Sequence, residues 1–253
     1  MKTLTVFAGP NGSGKTTITN RFLEDPPFAL GHYLNPDEIE QQLNLPGFAV
    51  LESYTIQPSD QDWASFIAES TLAAKICRDN TLTSSQLTES IQLTDEGKTI
   101  TPLQSLISDT YTSALITDFV RQMLIQAGQS FTFETVMSSA DKIDTIRRAK
   151  ELGYFVRLFY VTTRSPEINV SRVLNRVQKG GHFVPLDKIR ERYWRSLDNL
   201  AGALRLADEA YLYDNSTDGS ESLEIARLEN DALVVTSALV PDWYVRYVEQ
   251  KLT

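Results

Sequence analysis

Cysteine is nearly absent: Cys77 stands alone in 253 residues. No internal disulfide can form, and such usage points to a reducing, cytoplasmic setting. Two histidines and one cysteine are too few for the usual structural zinc sets. No apolar run approaches the length needed to cross a membrane, so no membrane association is expected. Positive charge is scarce as well, with 24 Lys and Arg against 33 Asp and Glu, a net charge of −9. That balance argues against broad nucleic-acid binding, which rests on clustered cations, and leaves only a local basic patch between Arg147 and Arg195. The chain opens directly on a strand and loop, so no signal peptide is expected. What is present, 42% hydrophobic and 23% charged residues, suits one large α/β domain spanning 1–253, with room for an insertion.

Glycine is concentrated where it matters most. Gly9-Pro10-Asn11-Gly12-Ser13-Gly14-Lys15-Thr16 matches the phosphate-binding pattern G-x-x-x-x-G-K-[ST] in full. Leu4 to Ala8 reads as a buried strand before it, and Thr17 to Glu24 as a helix after it. Strand, glycine loop and helix in that order let backbone amides ring a phosphate at a helix N-terminus. Gly9 through Thr17 are therefore candidate nucleotide contacts, Lys15 reaching the β/γ-phosphates and Thr16 placing its hydroxyl on Mg²⁺.

Downstream, His32 to Leu34 reads as a second strand, with a helix from Asp37 or Glu38 to about Leu43. Residues 46–105 form an expected insertion, mainly helical. Within it Trp63, Phe66, Ile67, Ala73 and Ile76 keep helical spacing over 59–77, and Ile91–Thr94 with Thr99–Thr101 suggests a hairpin. The core pattern then returns. Helices are expected over 107–127, 141–152, 165–178 and 185–205, strands over 130–133, 154–161 and 210–213, an edge strand over 232–235 and a helix over 242–251. Alternating strands and helices imply a mostly parallel sheet of the P-loop NTPase type with helices on both faces and ligands at the strands' carboxyl ends.

Polar residues follow several expected strands. Asp37 reads equally as a base for an acceptor hydroxyl or as a first-turn helix charge. Glu134 reads as a carboxylate on Mg²⁺, an acceptor ligand or a solvated charge, with Thr135 beside it. Arg172, Arg176, Arg190, Arg192 and Arg195 form either a solvated helix face or a lid over 170–205, for which Gly180-Gly181 supplies a hinge. No catalytic role is read into His182.

Together Gly9–Thr17, Asn35-Pro36-Asp37-Glu38-Ile39, Phe131-Thr132-Phe133-Glu134-Thr135 and Arg176-Val177-x-x-Gly180-Gly181-His182-x-Val184-Pro185 resemble the zeta toxin family of P-loop kinases. The resemblance spans residues 1–45 and about 110–216. Well-studied members phosphorylate UDP-N-acetylglucosamine and act as toxins restrained by an antitoxin. The resemblance thus implies ATP and Mg²⁺ as cofactors, a small-molecule acceptor such as a UDP-sugar, and an antitoxin partner. It matches Asp37 to the catalytic base, Lys15 and Thr16 to the phosphate and metal contacts, and Glu134 to a substrate-binding acid. Arg176 and Arg192 match lid arginines that reach the phosphates, and Asn215 falls where related kinases hold adenine. The family usually places a hydroxyl residue one position beyond the acid's neighbour, whereas here Thr135 follows Glu134 directly and Val136 comes next. Two other functions fit the same loop: a kinase on a nucleic-acid end or tRNA, and a nucleotide-binding partner protein without catalysis.

Overall fold

A computed structural model describes residues 1–104, 106–180 and 183–252. The chain divides into two compact units, one made of Met1–Gly31 and Phe131–Thr253, the other of His32–Ser130. The second unit takes in the segment 46–105 and the helices that flank it.

The first unit is built on a mostly parallel sheet. Its strands lie in the order Ala232–Val235, Leu223–Glu229, Glu209–Asp214, Phe155–Thr162, Thr3–Ala8, Phe131–Thr135. The last four are mutually parallel, and the first two add antiparallel at one side. Register carries their carboxyl ends to one level: Ala8 pairs with Thr135 and Tyr160, and Thr162 with Asp214. Buried Leu4, Val6, Phe131, Phe133, Val156 and Leu158 explain why these segments are strands, since a parallel sheet hidden on both faces needs near-continuous apolar runs.

Side-chain alternation along Phe155–Thr162 assigns helices to opposite faces. Phe159 and Val161 pack with Phe7 and with Ile18 and Phe22 of the helix Lys15–Glu24. Tyr160 points the other way, and its hydroxyl meets Ser196 of the helix Leu186–Leu204 at 3.2 Å. That helix buries Ile189, Tyr193, Leu197, Leu200 and Leu204, a stripe at three- and four-residue intervals. The α/β class is thus as the sequence implies.

Leu223–Glu229 is a strand that the sequence does not announce. Its Glu, Ala, Leu and Arg favour helix, and pairing with Glu209–Asp214 overrides that preference. The C-terminal helical stretch Asp242–Leu252 is widened through Val245–Glu249.

In the second unit, Asp60–Glu69 and Thr71–Asn80 are two helices where the spacing suggests one. Ser70 closes the first and caps the second, its hydroxyl accepting from the Ala73 amide at 3.1 Å. The hairpin Ile91–Thr94 and Thr99–Pro102 is present and gains a third strand, Ala49–Val50. Trp63 and Phe66 pack on Phe119 of the long helix Asp109–Gln126, with ring centroids 5.0 and 5.4 Å away. Among the described residues no helix is long and apolar enough to cross a membrane.

The C-terminal stretch is fastened through Asp214 at the end of its strand. Its buried carboxylate accepts from Trp243 Nε1 at 2.8 Å and from the Ser216 amide at 3.0 Å. Trp243→Phe leaves a buried carboxylate short of one donor, so it should destabilise the protein by about 2 kcal/mol. Urea denaturation should show a lower midpoint, and an unchanged midpoint would remove this contact from the stabilising set.

Candidate functional site

The loop after Thr3–Ala8 turns sharply at Gly9, whose φ of 141° is closed to ordinary side chains. A Cβ there would sit 1.9 Å from the Val161 carbonyl oxygen, so only glycine lets the loop lie against the neighbouring strand end. The helix Lys15–Glu24 begins after Gly14, which brings no capping side chain. The first-turn amides of Lys15, Thr16 and Thr17 therefore lack intrahelical acceptors, which leaves donors that an anion can satisfy.

Side-chain donors hold three of the loop's carbonyls. Lys15 Nζ donates to Pro10 O at 3.1 Å, Asn169 Nδ2 to Asn11 O at 2.7 Å, and Asn215 Nδ2 to Ser13 O at 2.8 Å. Arg172 Nη1 in turn donates to Asn215 O at 2.7 Å, and its Nε and Nη2 reach Asp218 Oδ1 at 2.9 and 2.6 Å. Asn215, expected beside adenine, thus spends its side-chain amide on bracing the phosphate loop.

Lys15 and Thr16 sit where the motif requires. Thr16 Oγ1 donates to Glu134 Oε2 at 3.1 Å, so the loop hydroxyl and the strand-end carboxylate converge. Removal from water holds Lys15 down at about 8, against the pull of Glu134 and with a further push from Arg176. The Arg176 charge is therefore felt at the loop lysine, although its side chain is exposed at the end of the helix Pro166–Gln178. Thr135 is buried, and its hydroxyl accepts from the Met137 amide at 3.0 Å, which turns the chain after the strand.

The arginine run separates into distinct roles. Arg190 forms a two-pronged pair with Glu167, both contacts 2.9 Å, and Arg195 pairs with Glu191 at 3.1 Å. These two behave as a solvated helix face. Arg192 is half-buried beside Tyr193 on the helix Leu186–Leu204. The hinge glycine Gly181 and His182 lie outside the described residues. Asp37 belongs to the second unit, exposed in the first turn of the helix Pro36–Asn44, where its amide donates to the Asn35 side chain at 3.0 Å.

The donor chemistry fits a nucleotide with Mg²⁺. Ser13 Oγ and Asn11 Oδ1 are buried in the loop without a partner among the described residues, as groups awaiting a polar ligand are. Thr16 and Glu134 offer the hard oxygens that Mg²⁺ takes alongside phosphates and water. Sequence reasoning missed Asn169. Its one signal is an amide lodged in sequence between Ile168 and the buried Val170.

Residues 109–218 match the family model for zeta toxin. Over that segment the chain is similar to zeta toxin. The matched segment holds Glu134, Asn169, Arg176, Arg192 and Asn215, while the phosphate loop and Asp37 precede it. A stretch of 63 residues is 38% identical to an uncharacterized protein of Haemophilus influenzae, covering 25% of this chain and 45% of that protein. Among solved structures, the AvrRxo1-ORF1:AvrRxo1-ORF2 complex with ATP superposes with a TM-score of 0.56 at 17% identity, over 98% of this chain and 63% of that one. The native AvrRxo1 complex gives 0.54 at 17% identity, over 94% and 62%. These likenesses show the fold, and the chain spans less than two thirds of each of these proteins.

If this loop takes a nucleotide, the lowered Lys15 should give binding a pH dependence. Phosphates favour the ammonium form, so nucleotide binding above pH 8 must take up a proton, whereas below pH 8 the group is already charged. ATP affinity is expected to be flat below pH 8 and to fall by up to about tenfold per pH unit above it. Calorimetry at pH 9 in two buffers of different ionisation enthalpy should detect the uptake, and equal apparent enthalpies in both would contradict it.

Proposed function

We propose that this protein is an ATP- and Mg²⁺-dependent kinase that transfers the γ-phosphate to a hydroxyl of a small metabolite, with a UDP-amino sugar as the first acceptor to test. The observation that carries the reading is the convergence of Lys15, Thr16 and Glu134 at a braced phosphate loop. The zeta toxin match over residues 109–218 supports it.

In this reading Lys15 leaves the Pro10 carbonyl for the β/γ-phosphates. The loop amides bind the remaining phosphate oxygens. Thr16 would hold Mg²⁺ through its hydroxyl, and the ion would supply charge neutralisation for the phosphates. Glu134, at the end of its strand, orients the acceptor or the metal's water. Arg176 and Arg192 stabilise charge on the transferred group from the helices Pro166–Gln178 and Leu186–Leu204, which are packed in place rather than forming the lid over 170–205 that the glycine pair suggests. Asp37 takes the acceptor proton, an assignment that rests on its Asn-Pro-Asp-Glu-Ile setting. The transition state is loose, so positioning and electrostatics supply most of the rate. A protein antitoxin belongs to this reading through the same resemblance, and a cytoplasmic location through the lone cysteine.

The test is phosphate transfer from γ-labelled ATP with Mg²⁺ across a panel of UDP-sugars, with Lys15→Ala as the blank. Label on UDP-N-acetylglucosamine that vanishes with Lys15→Ala is the expected result. Asp37→Ala should bind ATP as the parent does while transfer falls by about 10²-fold or more. Transfer undiminished in Asp37→Ala would remove it from the mechanism. ATP binding with no label on any UDP-sugar would move the acceptor search to nucleic-acid ends.

A further inference from the structure

We propose that Asn169 is a positioning residue: its buried side-chain amide fixes the phosphate loop and the arginine-bearing helix Pro166–Gln178 as one body. The inference rests on the reading of Gly9–Thr17 as a nucleotide phosphate site.

Asn169 is fully buried in the first turn of that helix. Burying an amide is costly unless both of its ends are satisfied. Nδ2 donates to Asn11 O at 2.7 Å, and Oδ1 accepts from the Thr163 hydroxyl at 2.5 Å. The orientation is forced, because a carbonyl oxygen at Asn11 demands a donor. Thr163 is itself held, its carbonyl accepting from the buried Tyr193 hydroxyl at 2.6 Å. A chain of polar contacts therefore runs from the helix Leu186–Leu204 through the end of Phe155–Thr162 and Asn169 to the loop.

Packing follows the same line. A Cβ on Gly12 would lie 2.6 Å from Asn169 O and 3.1 Å from Val173 Cγ2, so the loop backbone rests directly on this helix. Arg176 stands seven residues beyond Asn169, two turns along the same face and about 10 Å away along the axis. Arg172, between them, reaches the loop's other brace through Asn215 O. The helix thus meets the loop at Asn11 and Gly12, supports Ser13 through Asn215, and delivers Arg176 toward Lys15. Loss of the Asn169 amide should let the Asn11 carbonyl turn and blur both the amide cradle and the spacing to Arg176.

The experiment is calorimetric binding of ATP with Mg²⁺, and of pyrophosphate with Mg²⁺, to the full chain carrying Asn169→Asp, Asn169→Ala or Thr163→Val. Asp208→Ala is the control. It removes a 2.8 Å contact to the Val156 amide at the opposite end of the same strand. Asn169→Asp sets an acceptor against the Asn11 carbonyl and is expected to raise both dissociation constants at least tenfold. Asn169→Ala and Thr163→Val should raise them about threefold or more. The control should lower the melting temperature with both constants unchanged, which separates lost positioning from lost stability. Parent-like constants in Asn169→Asp, while the parent binds ATP, would overturn the inference and leave the kinase reading intact. No ATP binding by the parent would sink the kinase reading and this inference with it. If Asn169→Asp does not fold, Thr163→Val decides: constants within twofold of the parent overturn the proposal.

Discussion

A loop that turns its amides toward an anion must turn its carbonyls away from it, and those carbonyls need donors. This constraint organises the first unit. Lys15, Asn169 and Asn215 donate to Pro10, Asn11 and Ser13, and each donor comes from a different element. The parallel strand ends bring those elements together, since Gly9 can lie on Val161 only where the strands finish level. The buried apolar strands thus do more than fill the core. They set the height at which three polar side chains meet one short loop.

Charge at the site follows from that packing. Lys15 is withdrawn from water, so its ammonium depends on Glu134 and is disfavoured by Arg176. An incoming polyphosphate reverses the second influence, because it attracts both cations at once. The same anion competes with Glu134 for the Thr16 hydroxyl. In the ligand-free loop the lysine rests on a carbonyl and the threonine on a carboxylate, contacts that a bound polyphosphate would have to exchange. Arginines paired with carboxylates, such as Arg190 with Glu167, stand outside this exchange.

How much of this the sequence discloses depends on how local the physics is. The phosphate loop is legible because its chemistry is packed into nine consecutive residues between a strand and a helix. The principal strands and most helices are legible from apolar runs and periodicity. Ser70 is harder to read: one hydroxyl ends a helix and starts another inside a single apolar period. Leu223–Glu229 is illegible because its composition favours helix and only its neighbour makes it a strand. Asn169 and Arg172 are illegible for a related reason. Their function lies in contacts to Asn11, 158 positions away, and to Asn215, 43 positions away. Thr135 looks like a ligand in the sequence, and the structure engages its hydroxyl in the turn to Met137.

The distribution of these contacts bears on what holds the loop's conformation. Among the described residues, every side chain seen to hold a loop carbonyl belongs to the first unit, as do Thr16, Glu134 and Arg176. The second unit maintains itself separately, with its own aromatic core around Trp63, Phe66 and Phe119 and its own caps at Ser59, Ser70, Thr83 and Ser108. Substitutions at Asn169 or Asn215 would each leave a loop carbonyl without its donor. The conformation of the loop is thereby tied to the buried Asn169 amide and the half-buried Asn215 amide.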